Sequence, residues 1–210
     1  MKIVVIGASA VIGLETVKRA LERGHDVTSL SRTEMPIKPH KNLTIKYGSA
    51  LEKEVLKEAI DGADTVIVTI GTRKGMEPTT LYSDFGKLLI EVQQQTHTQV
   101  PFIIVTSHGV GESRPYVSWF VNLFIKFFLK YVVADKTIME EMIASSDVNY
   151  LFVRPGRLLD GAMTEKYKIV KELYKGVKID GINRADVADY MVKQAEEPTE
   201  MKSGVAITPL

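Results

Sequence analysis

Two spacings of apolar residues alternate along the chain. Ile3 to Ile6 is an unbroken β-branched run, the pattern of a strand buried on both faces of a parallel sheet. Helical spacing follows at once. Gly13, Leu14, Val17 and Leu21 share one face, Glu15, Lys18, Arg19, Glu22 and Arg23 are placed toward water, and Gly24 closes the segment. Five further strands are expected in the same way: HDVTSL from His25, LTIKY from Leu43, DTVIVTI from Asp64, FIIVTS from Phe102 and YLFVRPG from Tyr150. Helical stretches or loops separate them, with no linker, repeat or low-complexity interval.

This alternation predicts an α/β fold, a Rossmann-type doubly wound parallel sheet with right-handed crossovers, in one domain spanning residues 1–210. Beyond Pro155 the pattern loosens. Tyr167 to Lys178, a helix near Ala185 to Glu196 and a last strand from Gly204 are expected to form a small C-terminal lobe over the carboxyl edge of the sheet.

The carboxyl edge of such a sheet is where ligands bind, so the strand ends supply the candidates. The first turn, between a strand and a helix, reads Gly7-x-x-Ala10-x-x-Gly13. Gly7 permits the tight exit, Ala10 is small enough for a diphosphate to approach the backbone, and Gly13 lets the helix pack on the sheet. The helix start then offers free N–H groups and a partial positive charge to phosphates. A site for NAD usually has a carboxylate at the end of the second strand. Here Ser31 and Arg32 stand there, and a guanidinium suits a 2′-phosphate, so the expected cofactor is NADP(H).

Composition narrows the class further. At 210 residues and 45% hydrophobic content the chain can bury a large core. A net charge of +1 gives no sign of nucleic acid or an anionic membrane as the principal partner. The absence of cysteine removes disulfides, thiolate nucleophiles and Cys-based zinc sites, no metal site is expected, and a reducing cytoplasm is compatible with this. Lys2 before the apolar Ile3 to Leu14 imitates a signal peptide, but no small-residue cleavage site follows. In Tyr116 to Val133 the residues Ser118, Asn122, Lys126 and Lys130 interrupt the apolar run, so no membrane span is expected.

With these residues placed, the sequence resembles the atypical short-chain dehydrogenase/reductase superfamily, in its NAD(P)H-binding, NmrA-like branch. Within it the likeness is to the NADPH-dependent biliverdin reductase B (flavin reductase) family. DTVIVTIGTR with PTTLYSDFGKLLIE, IIVTS, and DKTIMEEMIASSDVNYLFVRPGRLLD carry the likeness. The resemblance implies that Ser9, Val11 and Ile12 line the diphosphate turn, that Arg32 meets the 2′-phosphate, and that Ser49 and Ala50 meet the adenine. Ile70, Gly71 and Arg73 would run along the cofactor, Thr106 and Ser107 would lie near the nicotinamide, and Pro155 and Gly156 would support its carboxamide face. Arg157 stands where that family has histidine, and Ser49 where it has aspartate.

The superfamily's Tyr-x-x-x-Lys pair is missing, since Tyr131 and Lys136 are five residues apart. An alcohol dehydrogenase would need such a pair. A flavin, quinone or related conjugated acceptor can take hydride while water supplies the proton. Ser107, His108 and Arg157 are the candidate catalytic residues: Ser107 to orient the ring or acceptor, His108 to give a proton, Arg157 to bind an anionic acceptor. Lys136 and Glu140 have the spacing of a helical ion pair, with a place beside the cofactor ribose as the other reading of Lys136. Trp119, Phe120, Phe124, Phe127, Phe128 and Tyr131 are expected mostly in the core or between subunits, which allows a homodimer, with a roof over a flat aromatic substrate as the other reading. Two other functions fit a dinucleotide turn without that pair: a non-catalytic NADP(H)-sensing regulator that binds a protein, and a nucleotide-sugar epimerase or dehydratase.

Overall fold

In a computed structural model, which describes residues 1–9, 11–72 and 76–210, eight strands form one sheet in the order β3-β2-β1-β4-β5-β6-β10-β8. The β-branched runs account for its centre. β1 (Lys2–Ile6) pairs in parallel with β2 (Asp26–Ser31) on one side and β4 (Thr65–Val68) on the other. β3 (Leu43–Tyr47) is the half-exposed edge beyond β2, and β5 (Phe102–Val105) and β6 (Tyr150–Pro155) continue the sheet from β4. The chain reverses its direction of travel between β1 and β4, which opens a crevice at their carboxyl ends.

Period-two alternation along the strands divides the core into two layers. Ile3, Val5, Ile67, Ile103, Leu151 and Val153 point to one face, where α1 (Val11–Glu22) and α6 (Arg184–Glu196) cover them with Val17, Ala20, Val187 and Met191. Val4, Ile6, Val66, Val68, Ile104 and Phe152 point to the other. There α2 (Lys53–Ile60), α3 (Leu81–Thr96) and α5 (Lys130–Ala144) supply Leu56, Phe85, Leu89 and Met139.

The six expected strands are present, each within a residue or two of the quoted runs. The C-terminal part is divided between sheet and lobe. β10 (Ser203–Pro209) pairs in parallel with β6, and β8 (Tyr167–Val170), which is all the regular structure in Tyr167 to Lys178, pairs antiparallel with β10. The small two-stranded sheet of β7 (Leu158–Leu159) and β9 (Ile182–Asn183) lies outside the main one.

Two expectations about side chains are corrected. Arg19 does not face water: its Nε donates to Asp189 Oδ1 at 2.8 Å and its Nη2 lies 2.6 Å from the same oxygen. Asp189 is fully buried on α6 and also receives Tyr167 Oη at 2.6 Å and Lys193 Nζ at 2.7 Å. The aromatic segment is likewise not core. Trp119 is 68% and Phe120 76% exposed, and Phe124, Phe127, Phe128 and Tyr131 are exposed as well. Here α4 (Trp119–Phe124) runs through a single wider π turn, Ile125–Leu129, into α5. Ile125, Leu129 and Val133 pack on Val110, and these few contacts fix the segment to the body.

Candidate functional site

The crevice is built from backbone upward. Gly7 has φ +83°, a left-handed conformation, and a Cβ there would come within 2.8 Å of the Thr69 carbonyl carbon. One turn into α1, a Cβ on Gly13 would collide with Gly7 O, so both glycines are required for the helix start to sit against β1 and β4. Thr69 Oγ1 then donates to Ile6 O at 3.0 Å, which holds the ends of β1 and β4 together.

Seven expected cofactor positions line this one cleft, Gly7, Ser9, Arg32, Ser49, Ala50, Ile70 and Gly71, beside Ser31 from the end of β2. Leu30, Gly48, Leu51 and Leu81 complete its walls. Thr33 Oγ1 donates to Ser9 Oγ at 2.9 Å and ties the first two turns to each other. Arg32 is exposed and, within the described residues, makes no hydrogen bond or ion pair, so its guanidinium is free for a ligand. Among the described residues nothing lies within 4 Å of where a Cβ on Gly71 would stand, and Gly71 lines the cleft. An open glycine, a helix start and an unpaired cation fit a dinucleotide's adenosine and phosphates.

Val11 is exposed at the first position of α1, whereas Ile12 sends its side chain into the core, leaving its N–H as the group available to a phosphate. Ala10 and Arg73 lie outside the described residues.

A second cluster stands at the ends of β5 and β6. Lys136, one helical turn into α5 from Val133, donates to Thr106 O at 2.9 Å and approaches Ser107 Oγ at 3.4 Å. Its ammonium lies 5.0 Å from the centre of the Tyr82 ring. Desolvation pushes the Lys136 pKa down to about 8, against the opposing pull of Glu140. The helical ion pair with Glu140 is not made. Glu140 instead accepts Thr106 Oγ1 at 2.7 Å and Arg154 at 3.2 and 2.7 Å. Arg154 is buried at the end of β6 and reaches Glu112 as well, at 3.1 Å.

His108 N donates to Pro155 O at 2.8 Å, which brings the loops after β5 and β6 side by side. Burial, then the nearby Arg154, lower the His108 pKa, so its ring is neutral near pH 7. Its Nδ1 is buried without a hydrogen-bond partner among the described residues. At Gly156 a Cβ would stand 2.5 Å from Asp180 O, so this turn packs directly on the backbone before β9. Arg157 is exposed, and its carbonyl accepts Ile182 N at 2.9 Å. No ion pair of its guanidinium is found among the described residues.

Sequence reasoning missed the supporting shell. Asp135, buried on α5, accepts the N–H groups of Tyr82 at 2.9 Å and Ser83 at 3.1 Å and so caps the start of α3. Arg154 and Glu140 were hidden because a strand arginine and a helix glutamate 14 residues apart carry no local signal.

The NAD(P)H-binding family profile matches residues 7–198. The chain belongs to that NAD(P)H-binding family. A nicotinamide cofactor is therefore its ligand, and the family agrees with the resemblance read from the strand ends. A 3-beta-hydroxysteroid dehydrogenase of Mycolicibacterium neoaurum is 27% identical over 159 residues, 66% of this chain, and the chain spans 42% of that relative's length. Among solved structures, the anaerobilin reductase ChuY of Escherichia coli O157:H7 superposes with a TM-score of 0.77 at 23% identity, covering 100% of this chain and 97% of that one. A candidate NADH-flavin reductase of Streptococcus pneumoniae TIGR4 superposes at 0.81 and 23% identity over the whole of both chains. At these identities the likeness carries the fold, so the NAD(P)H-binding family member is assigned its cofactor class by the profile and its architecture by the neighbours.

Proposed function

We propose that this chain is an NADPH-dependent reductase that delivers hydride to a flavin, a quinone or a related conjugated acceptor. The observation that carries this reading is a division of labour along one sheet edge. The free Arg32 and the Gly7 to Gly13 turn stand at one end, and Ser107 with a desolvated Lys136 stands at the other.

When bound, NADPH supplies a hydride from its dihydronicotinamide ring. Arg32 would hold its 2′-phosphate through charge-assisted hydrogen bonds, and the N–H groups opening α1 would hold the diphosphate. Ser107 holds the acceptor or the ring in register. Lys136, protonated below about pH 8, hands a proton through the Ser107 hydroxyl to the heteroatom of the acceptor that gains electron density. Its Nζ is then left neutral and recovers its proton from water. The bilin and flavin chemistry in the names of the structural neighbours is of this conjugated kind.

Incubation of the purified protein with NADPH and a panel of free flavin, quinones and a linear tetrapyrrole tests the proposal. NADPH oxidation that requires one of these acceptors is expected. Tight NADPH binding with no turnover on any of them would instead support the NADP(H)-sensing regulator.

A further inference from the structure

The segment from Trp119 to Val133 follows a repeat of four residues. Val121, Ile125, Leu129 and Val133 make one stripe, and the last three fasten it to Val110. Asn122, Lys126 and Lys130, each one residue further on, make a polar stripe beside it. The two remaining stripes hold Trp119, Phe120, Phe124, Phe127, Phe128 and Tyr131, and all six side chains are exposed. An α-helix of 3.6 residues per turn would carry such a repeat out of line. The wider π turn at Ile125–Leu129 restores the average and keeps each stripe on its own side.

Those six side chains expose on the order of 700 Å² of largely apolar surface, more than the largest patch of an ordinary monomer. What covers them is indicated by charge. Between Glu112 and Asp135 the chain has no acidic residue, while Arg114, Lys126 and Lys130 are all basic. The modest net charge of +1 for the whole chain conceals this local concentration.

A second copy of the chain is a poor match, because a two-fold interface sets the same surface against itself and offers these lysines no carboxylate from the helix. A surface that is apolar below and anionic above satisfies both stripes at once. Aromatic side chains sink to the acyl boundary, and lysines at the edge of the polar stripe extend to headgroup phosphates.

The geometry points to Trp119–Tyr131 as an interfacial helix that docks the protein on an anionic lipid surface. Through its body-facing stripe the docking segment adjoins the loop that follows Ser107. Ile125 lies against Gly109, where a Cβ would come within 2.8 Å of its Cδ1, and Gly109 is two residues beyond Ser107. The docking does not rest on the reductase reading, since it needs neither NADPH nor turnover.

Trp119 is the single tryptophan of the chain and sits on the face in question, so intrinsic fluorescence reads the docking directly. Vesicles of equal parts phosphatidylcholine and phosphatidylglycerol are expected to shift its emission to the blue and to sediment the protein, with both effects reversed by salt. The double variant Lys126→Glu, Lys130→Glu should lower that partition about thirty-fold or more. Phe124→Ser with Phe128→Ser should abolish it at an unchanged melting temperature, because these side chains are exposed. No shift with these vesicles would overturn the proposal. An equal shift with pure phosphatidylcholine would overturn the anionic assignment. A blue-shifted emission without lipid that depends on protein concentration, with doubled mass in solution, would give the face to a second copy instead.

Discussion

At the scale of single residues the account turns on two cations. Arg32 is free in the cleft, and its removal should discriminate between cofactors. In calorimetric titration, Arg32→Ala should weaken NADPH binding about 10- to 100-fold, the worth of charge-assisted hydrogen bonds, and leave NADH binding nearly unchanged. In the proposed reaction Lys136 sets the pH dependence. Its pKa is lowered to about 8, so the proton it gives is present below that pH and absent above it. The kcat for acceptor reduction is therefore expected to fall as pH rises through 8. Lys136→Met should lower kcat about a hundredfold and flatten that alkaline limb, whereas Lys136→Arg should retain charge and move the limb to higher pH. The place of Arg32 in the cleft was legible in the sequence because it is positional, at a fixed step beyond a glycine turn. The surroundings of Lys136 were not: spacing alone joins it to Glu140, and only the fold reveals that Arg154 and Thr106 already occupy that carboxylate.

At the scale of elements, the two helices over the first core layer are held by one buried carboxylate. Burial opposes ionisation of Asp189, but hydrogen bonds from Lys193, Tyr167 and Arg19 outweigh it and keep its pKa below the ordinary value. Its contribution to stability is accordingly present above the unfolded pKa of about 4 and lost as pH falls through the lower folded value. Asp189→Ala should cost about 3 kcal/mol in denaturant unfolding, since it removes the buried partner of Arg19, Tyr167 and Lys193 and leaves the two cations only exposed carboxylates such as Glu165. A loss confined to a few tenths would mean that water replaces the carboxylate. The strands themselves were readable because two-sided burial leaves a run of Val and Ile in sequence. The faces of the aromatic helix were not, because apolar residues on three of its four stripes give no contrast until one stripe is seen to touch Val110.

At the scale of the whole molecule, the parallel order β3-β2-β1-β4-β5-β6 puts every strand-end candidate on one edge, and that much follows from alternation of strand and helix. The loops beyond Pro155 carried no such rule, and β8 joined the sheet in the opposite sense. Because the cleft is assembled from the ends of four strands, a ligand there stabilises the native sheet against unfolding. NADPH at a hundred times its dissociation constant should raise the melting temperature by about 5–10 °C, and the same concentration should do much less for Arg32→Ala. The most direct test of the reductase account is a single turnover. Protein saturated with NADPH is mixed, without oxygen, with excess free flavin while nicotinamide absorbance is followed. The account predicts its rapid loss with one flavin reduced for each NADPH consumed; bound NADPH that persists in the presence of flavin, quinone and linear tetrapyrrole alike would contradict it.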